Sequence, residues 1–203
     1  MDIYDTMITD IKLIKKTKDL FCFSYKKNEI LMFSKIFFLE NNHRLIEDYD
    51  REVFMNNYLK DTNLVENKKY FSELIEIHEN SRPLECFLKF IPNHHESDCN
   101  ILIFEHAGNH TLRYYINRVS QKKFDDLLAQ LKEATRILQD LHIIHYDLYC
   151  ESNIMVKKVK NKHILKIIDF GLSYIDKSDK TNRDYHTAIE SIQHFNKKHI
   201  CNI

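Results

Sequence analysis

Two aspartates and one asparagine in the second half of the chain have the side-chain types and the order expected of a metal-assisted proton-transfer site. Asp147 follows a long amphipathic segment, Asn153 comes six residues later, and Asp169 ends an apolar run just before Gly171. Mg²⁺ prefers one or two carboxylates plus substrate oxygens over a cage built wholly from protein. Asp169 and Asn153 are therefore candidate metal ligands, and Asp147 is a candidate base for an attacking hydroxyl.

The elements that must position these side chains can be predicted from hydrophobic periodicity. Residues 124–142 place leucine, isoleucine and alanine on one face, which predicts an amphipathic helix leading to Asp147. The apolar runs 154–156 and 164–168, separated by a lysine-rich turn, predict a hairpin between Asn153 and Asp169. The tail from about residue 182 is predicted to form one further helix.

The first half of the chain has the pattern of a small sheet with one main helix. Residues 20–25 and 30–39 are predicted to form a hairpin, and the period changes to that of a helix over 43–60. Two more strands are predicted at 84–91 and 100–105. We expect an α+β fold in which a small antiparallel sheet is followed by a mostly helical second half.

Length and composition limit the class of protein. The chain has 203 residues with 43% hydrophobic content, enough for one domain or two small lobes sharing a cleft, and the change in character falls near 106–110. We predict a single domain, 1–203, with a first lobe of about 1–106 and a second of about 107–203. Thirty basic residues balance thirty acidic ones, so no direct nucleic-acid partner is evident.

The cysteines and the hydropathy indicate an intracellular protein. Five cysteines occur without a CxxC pair, which favours free thiols in a reducing compartment. The polar start, residues 1–5, is unlike a secretory signal. The sequence contains no run of about 18 apolar residues, so we expect no membrane span. We expect a cytoplasmic location and no membrane partner.

The order and spacing of the motifs resemble one known superfamily. Taken singly, Asp-Phe-Gly at 169–171 fits a turn and His-Tyr-Asp at 145–147 fits a polar loop. Together, residues 141–156 resemble the catalytic loop of the protein-kinase superfamily, and residues 165–171 resemble its metal-binding segment. The resemblance covers about residues 11–176 and implies a two-lobed kinase-like fold that uses ATP and Mg²⁺.

The same resemblance assigns roles to residues in the first half. Lys35 resembles the strand lysine that meets the nucleotide phosphates, and Glu52, on the helix predicted to follow, resembles the glutamate that pairs with it. Phe104 resembles the gatekeeper at the back of the adenine pocket. The resemblance implies that the backbones of Glu105 and Ala107 hydrogen-bond the adenine edge.

Two departures from the family pattern concern the nucleotide and metal sites. The turn that should cover the phosphates lies within residues 13–20 and contains no glycine, although it contains three lysines. The family's asparagine comes five residues after the aspartate, whereas Asn153 comes six after Asp147. Either the loop has one extra residue or Ser152 takes the metal position, and the strand that follows favours Asn153.

Three further departures concern regulation and substrate binding. Tyr146 replaces the arginine that pairs with an activation-loop phosphate, which predicts activity that does not await such phosphorylation. Asn56 stands where the family's regulatory helix offers an apolar residue to the core. The segment after Gly171 is short and has no Ala-Pro-Glu motif, so the peptide-binding platform is expected to be truncated.

Miniature kinases share this shortened second lobe. The chain is similar to the kinase subunit of the KEOPS complex, to compact effector kinases of bacterial pathogens, and to reduced kinases of large DNA viruses. These similarities imply a serine/threonine protein kinase with a protein substrate or an activating protein partner, in the cytoplasm, including that of a host cell. The alternatives are a pseudokinase that acts as a partner-binding module, and a small-molecule kinase or ATPase.

Overall fold

The structure is a computed structural model and describes most of the chain. It covers residues 7–40, 42–62, 69–91, 97–178 and 181–200, with side chains up to residue 194. The expectation for the start of the chain, residues 1–5, lies outside the described residues.

Contacts divide the chain into two compact units. The first comprises Met1–Tyr49 and Glu73–His106, and the second comprises Asp50–Ser72 and Ala107–Ile203. The segment 50–72 thus groups with the second half. A linear boundary near 106–110 does not capture this grouping, because the chain leaves the first unit inside a helix and returns to it at Glu73.

The first unit is built on a five-stranded antiparallel sheet. Its order is β1-β2-β3-β5-β4, with bounds β1 Ile8–Lys16, β2 Leu20–Lys27, β3 Ile30–Phe37, β4 Leu74–Ser81 and β5 Cys99–Glu105. The β2–β3 hairpin is confirmed, but its strands extend to a two-residue turn. Asn28 and Glu29 both have positive φ, 52° and 64°, which matches the right-handed twist of the flanking strands.

The strand predicted at 84–91 is wrong. Helix α1 runs over His43–Asp61, as expected, but Glu85–Leu88 forms a short second helix, α2. The sheet also contains β1 and β4, which were not among the strands predicted from the sequence. Short apolar runs fit a buried strand and a buried helix equally well, so their period cannot decide between them.

Aromatic side chains fill the core of the first unit. The rings of Phe23 and Phe87 lie 4.7 Å apart, and Tyr25 meets Phe87 edge-on at 5.4 Å. All three side chains are almost fully buried. Helix α2 therefore covers one face of the sheet.

In the described residues, the second unit combines the later part of α1 with three further helices and short strands. Their bounds are β6 His110–Thr111, α3 Leu112–Tyr115, α4 Gln121–Asp140, β7 Ile143–Ile144, β8 Ile154–Val159, β9 Lys162–Ile167, β10 Tyr174–Ile175 and α5 Arg183–Ile200. The long helix, the hairpin and the tail helix are confirmed within a few residues. The mixture of sheet and helices confirms the α+β class.

The core of the second unit forms around α4. Leu127, Leu131, Ala134 and Leu138 are fully buried, at the helical spacing that predicted the element. Among the described residues, no helix combines the length and the apolar content needed to cross a bilayer.

Gly108 marks a position where only glycine fits. Its φ is +128°, and a Cβ there would stand 2.3 Å from the carbonyl oxygen of Val156. Any L side chain would meet both backbone strain and a clash with β8. The glycine thus lets the chain entering the second unit lie against the β8–β9 hairpin.

Candidate active site

The loop that carries Asp147 lies between β7 and β8, and we call residues 145–153 the Asp147 loop. The side-chain amide of Asn153 donates to the carbonyl oxygen and to Oδ2 of Asp147, at 2.8 Å each. Asn153 is buried, whereas the Asp147 side chain is half-buried. The loop therefore holds the Asp147 carboxylate in a fixed place that a substrate can still reach.

The extra residue in the loop is absorbed by a turn. The backbone N–H groups of Ser152 and Asn153 both donate to the carbonyl of Tyr149, at 3.3 Å. Ser152 is exposed, whereas the side chain of Asn153 lies against Asp147. Of the two candidates for the metal position, the geometry favours Asn153.

Asp169 follows β9 in a strained backbone conformation. Its φ and ψ are 68° and 71°, in the left-handed region that a non-glycine residue adopts at a cost. The preceding residue is tied to the Asp147 loop, because the backbone N–H of Ile168 donates to the carbonyl of Asn153 at 3.1 Å. The two predicted metal ligands therefore come from segments joined by a backbone hydrogen bond.

His145 connects the loop to the Asp-Phe-Gly segment from inside the core. Its Nε2 lies 2.9 Å from the carbonyl of Ile168, and its ring centroid lies 4.8 Å from that of Phe170. Complete burial holds the pKa of His145 below its ordinary value, even though nearby carboxylates, Asp184 first among them, oppose this shift. A neutral imidazole with its proton on Nε2 donates to Ile168 and plays a structural part.

Helix α5 supplies a residue that was not predicted from the sequence. Asp184, in its first turn, is buried and accepts from the backbone N–H groups of His145, at 2.7 Å, and Tyr146, at 3.1 Å. Asn182 caps this helix through the backbone N–H of Tyr185. The pattern Asn-x-Asp at a predicted helix start was the available signal, but a contact so distant along the chain has no local signature.

A second contact from α5 holds the loop further along the chain, at Cys150. Ser191 Oγ accepts from the backbone N–H of Cys150 at 3.1 Å and donates to the carbonyl of Ala188 at 2.7 Å. The Cys150 thiol is buried, and burial raises its pKa to about 11. This cysteine is a packing residue and is not a nucleophile.

The second unit also contains Glu52. It is buried on α1, and the neighbouring Arg51 donates to the carbonyl of Gly171 at 3.3 Å. Asn56, one turn later, is buried, and its side-chain amide donates to the backbone carbonyl of Glu52 at 2.8 Å. This hydrogen bond lets a polar side chain stand where the family pattern has an apolar one. This part of α1 thus lies against the Asp-Phe-Gly segment.

The remaining predicted residues lie on two neighbouring strands of the first unit, apart from Ala107. Lys35 on β3 is buried, and its Nζ lies 5.9 Å from the ring centroid of Phe104 on β5. The backbone N–H of Glu105 donates to the carbonyl of Glu73 at 2.8 Å. Ala107 is buried at the start of the second unit.

In the turn predicted to cover the phosphates, two backbone N–H groups form hydrogen bonds within the turn itself. It links β1 to β2, where the N–H of Thr17 donates to the carbonyl of Leu20 at 2.9 Å, and the N–H of Leu20 donates to the Thr17 hydroxyl at 3.0 Å. These two amides are therefore engaged within the turn. A glycine-rich turn would instead present amides to phosphate oxygens.

The donor set fits Mg²⁺ and disfavours the softer metals. Asp169 and Asn153 offer a carboxylate and an amide oxygen, which are hard ligands. Within the described residues, no three His, Cys, Asp or Glu side chains form a metal-binding cluster. Two protein ligands suit an ion that is completed by nucleotide phosphates and water.

A half-buried aspartate is thus held by an asparagine in the second unit, and a strained Asp-Phe-Gly segment follows it along the chain. The family model for the protein kinase domain matches residues 22–194, and the chain belongs to that family. No curated protein matches the chain significantly.

Proposed function

We propose that the chain is an ATP- and Mg²⁺-dependent protein kinase that phosphorylates serine or threonine. The observation that carries the proposal is the pair of 2.8 Å hydrogen bonds from Asn153 to Asp147, in a loop clamped by Asp184. A base must be held still and remain accessible, and this arrangement supports both requirements.

Each site residue has one task in this reaction. Bound Mg²⁺·ATP supplies the transferable phosphoryl group and the charge neutralisation at the phosphates. Asp147 Oδ would orient the acceptor hydroxyl and take its proton as the acceptor oxygen bonds to the transferred phosphorus and the O–P bond to ADP breaks, with ADP as the leaving group. Asp169 and Asn153 hold the ion, while Lys35 meets the phosphates and Glu52 keeps the supporting role that the resemblance implies.

Adenine recognition is assigned to backbone groups, with Phe104 as the gatekeeper. The N–H of Glu105 is engaged by Glu73, so the proposed contact from this residue is its carbonyl oxygen. Ala107 would contribute its backbone N–H. Because backbone groups would make these hydrogen bonds, many side chains are tolerated, and the sequence just before Gly108 carries no distinctive motif for adenine binding.

The proposal is tested with γ-labelled ATP and the full chain, using casein and histone as acceptors. We expect label in the acceptor or in the chain itself, abolished by EDTA and recovered as phosphoserine or phosphothreonine. Prior phosphatase treatment should leave the rate unchanged, because Tyr146 replaces the phosphate-binding arginine. Release of ADP without labelled protein would instead indicate a small-molecule kinase or an ATPase.

A second candidate function is that of a pseudokinase that binds partners. It is favoured by the turn at Thr17 and Leu20, whose two N–H groups are hydrogen-bonded within the turn. A thermal-shift titration separates it from the first. A ligand at 100 times its dissociation constant stabilises the folded state by about 2.7 kcal/mol. No shift with Mg²⁺·ATP, together with no transfer, would favour the binding module.

The proposal also includes a protein partner and a reducing compartment. The partner is the one that the resemblance to miniature kinases implies, and it would contribute to the surface that holds a substrate. Within the described residues, the cysteines at 22, 86, 99 and 150 form no disulfide, in keeping with a cytoplasmic location, including that of a host cell. Labelling assays with and without a candidate partner would test the first expectation.

A further inference from the structure

A stack of three flat side chains lies on the surface of the second unit. The rings of His110 and Tyr114 lie 3.8 Å apart and are nearly parallel, at 9°. The guanidinium carbon of Arg118 lies 4.2 Å from the ring centroid of Tyr114. All three residues are exposed, and 42% of the Tyr114 surface is accessible. We call this group, with Lys123, Lys158 and His163, the stacked patch.

A backbone turn after α3 brings Arg118 to the ring of Tyr114. Asn117 has a positive φ of 63°, and the next residue, Arg118, donates its N–H to the carbonyl of Tyr115 at 3.1 Å. This turn brings the chain back after α3, so that Arg118 reaches the ring of Tyr114. The stack is therefore a product of backbone geometry and is unlike a chance contact between long side chains.

A buried tyrosine connects the stack to the β8–β9 hairpin. Tyr115 is only 7% exposed and meets Tyr114 edge-on at 5.4 Å. On β9, the ring of His163 meets Tyr115 at 5.3 Å. The stack and the hairpin thus share one rigid support.

Positive charge accumulates beside this support. Lys158 on β8 is the cross-strand partner of His163, and Lys123 lies on α4; both lysines are exposed. Burial first, and then Lys123 and Lys158, hold the pKa of His163 below its ordinary value, with Asp126 opposing. The Asp126 carboxylate accepts from the Gln130 side chain. Lys123 and Lys158 are therefore the cations, and Asp126 the anion, that act on His163 in this region.

The chemistry of this face fits one kind of ligand. Exposed flat faces bind bases by stacking without regard to sequence, and lysines beside them meet phosphates. An acidic peptide would use the lysines but would gain nothing from the stack, and a duplex hides its base faces. We propose that the stacked patch binds single-stranded nucleic acid, with bases on the Arg118–Tyr114–His110 stack and phosphates at Lys123 and Lys158.

The stacked patch was not expected from the sequence, and its binding does not depend on the proposed function. The even overall charge gave no reason to expect nucleic acid, because only the fold brings α3, α4 and the hairpin together. None of the patch residues has a role in the proposed phosphotransfer.

The test measures fluorescence anisotropy of a labelled 12-nucleotide RNA of mixed sequence with the full chain, in 50 mM and 200 mM KCl. Matched arms use single-stranded DNA, the corresponding duplex and polyglutamate. We expect the chain to bind the single strands more tightly than the duplex or polyglutamate, whichever sugar they carry. A duplex or polyglutamate that binds as tightly, or the absence of binding in 50 mM KCl, would overturn the proposal.

Variants separate stacking from charge. Tyr114→Leu should weaken binding by about tenfold, whereas Tyr114→Phe should keep it within about twofold, because the Tyr114 ring holds Arg118 and His110 in the stack whose outer faces the bases would contact. Changing both Lys123 and Lys158 to Glu should weaken binding and lower the salt slope by at least about 1.4, since each phosphate contact on a single strand contributes about 0.7.

Controls show whether these effects belong to the patch. Lys132→Glu, at an exposed position of α4, should leave the RNA affinity within about threefold of wild type, and Asp147→Asn should leave it unchanged. Circular dichroism and the melting temperature establish that each variant is folded. If folded Tyr114→Leu binds RNA as wild type does, the patch is not a stacking platform and the inference is wrong.

Discussion

Asn153 holds the Asp147 loop together although it stands one position later than the family pattern expects. Its amide makes two hydrogen bonds to the same aspartate, one to the carbonyl oxygen and one to the carboxylate. Its own carbonyl accepts from Ile168, which directly precedes Asp169. The side chain of Asn153 thus fixes Asp147, the proposed base, and its backbone fixes the segment that carries the other proposed ligand.

Replacing Asn153 should therefore affect the metal requirement. In Asn153→Ala, we expect the Mg²⁺ concentration for half-maximal phosphotransfer to rise by at least about tenfold, because loss of a ligand or of its support weakens metal binding by that order. The measurement is a Mg²⁺ titration of the initial rate at saturating ATP.

Ser152→Ala is the matched control, because Ser152 is the exposed neighbour that the sequence left as the alternative. It should retain the wild-type titration. The reverse result, with a shift for Ser152→Ala only, would assign the metal position to Ser152.

The buried His145 makes the stability dependent on pH in a definite direction. Its pKa is lowered on folding, mainly by burial, so below pH about 6.5 the unfolded chain takes up a proton that the folded chain resists. Stability should fall as the pH drops from about 7, by up to about 1.4 kcal/mol per pH unit, until the folded pKa is reached.

Urea unfolding at several pH values tests this expectation. His145→Phe should show a flatter profile between pH 7 and 5, whatever its stability at pH 7. His186→Phe, at an exposed position of α5, should keep the wild-type slope. Parallel profiles for His145→Phe and the wild type would mean that His145 does not titrate in this way.

Helix α5 holds the Asp147 loop in place, a role that could not be predicted from the sequence. The tail was predicted to be a helix, yet its function lies in two long-range contacts, Asp184 to the start of the Asp147 loop and Ser191 to Cys150. The antiparallel pair β7–β10 closes the same segment, with Tyr174 opposite Ile144. One helix and one short ribbon thus hold the segment that carries Asp147 in place.

The contribution of α5 can be measured by removing the Asp184 carboxylate. Asp184→Ala leaves one buried and one partly buried N–H group without their charged acceptor, and we expect a loss of about 3 kcal/mol in the free energy of unfolding. The turnover number should fall by at least about tenfold, with the KM for ATP changed by less than about twofold, because the base is misplaced while the adenine contacts remain.

Glu190→Ala, on the exposed face of the same helix, should leave both quantities near their wild-type values. A normal turnover number in folded Asp184→Ala would contradict the positioning role.

The whole chain shows which features a sequence carries and which only a fold supplies. The long amphipathic helix, the hairpins at 20–37 and 154–167, and the order of Asp147, Asn153 and Asp169 were predictable, because local periodicity and motif spacing encode them. The apolar run at 84–91 was not, because tertiary packing decided that it became a short helix. Long-range partners such as Asp184 have no local pattern at all.

The local arrangement of charges is another feature that only the fold supplies. Equal numbers of acidic and basic residues predicted no direct nucleic-acid partner, but the fold places Lys123 and Lys158 near His163, and Arg118 over the ring of Tyr114. Net charge describes solubility and long-range steering, whereas recognition depends on local arrangement.

The most direct test of the account is the turnover number of Asp147→Asn. Asparagine keeps the size of the side chain but cannot take the proton, so kcat should fall by roughly 10²–10⁴-fold while the dissociation constant for Mg²⁺·ATP stays within about twofold. Asp140→Asn, an exposed aspartate at the end of α4, is the matched control and should behave as wild type. Wild-type turnover in folded Asp147→Asn would contradict the assignment of Asp147 as the base.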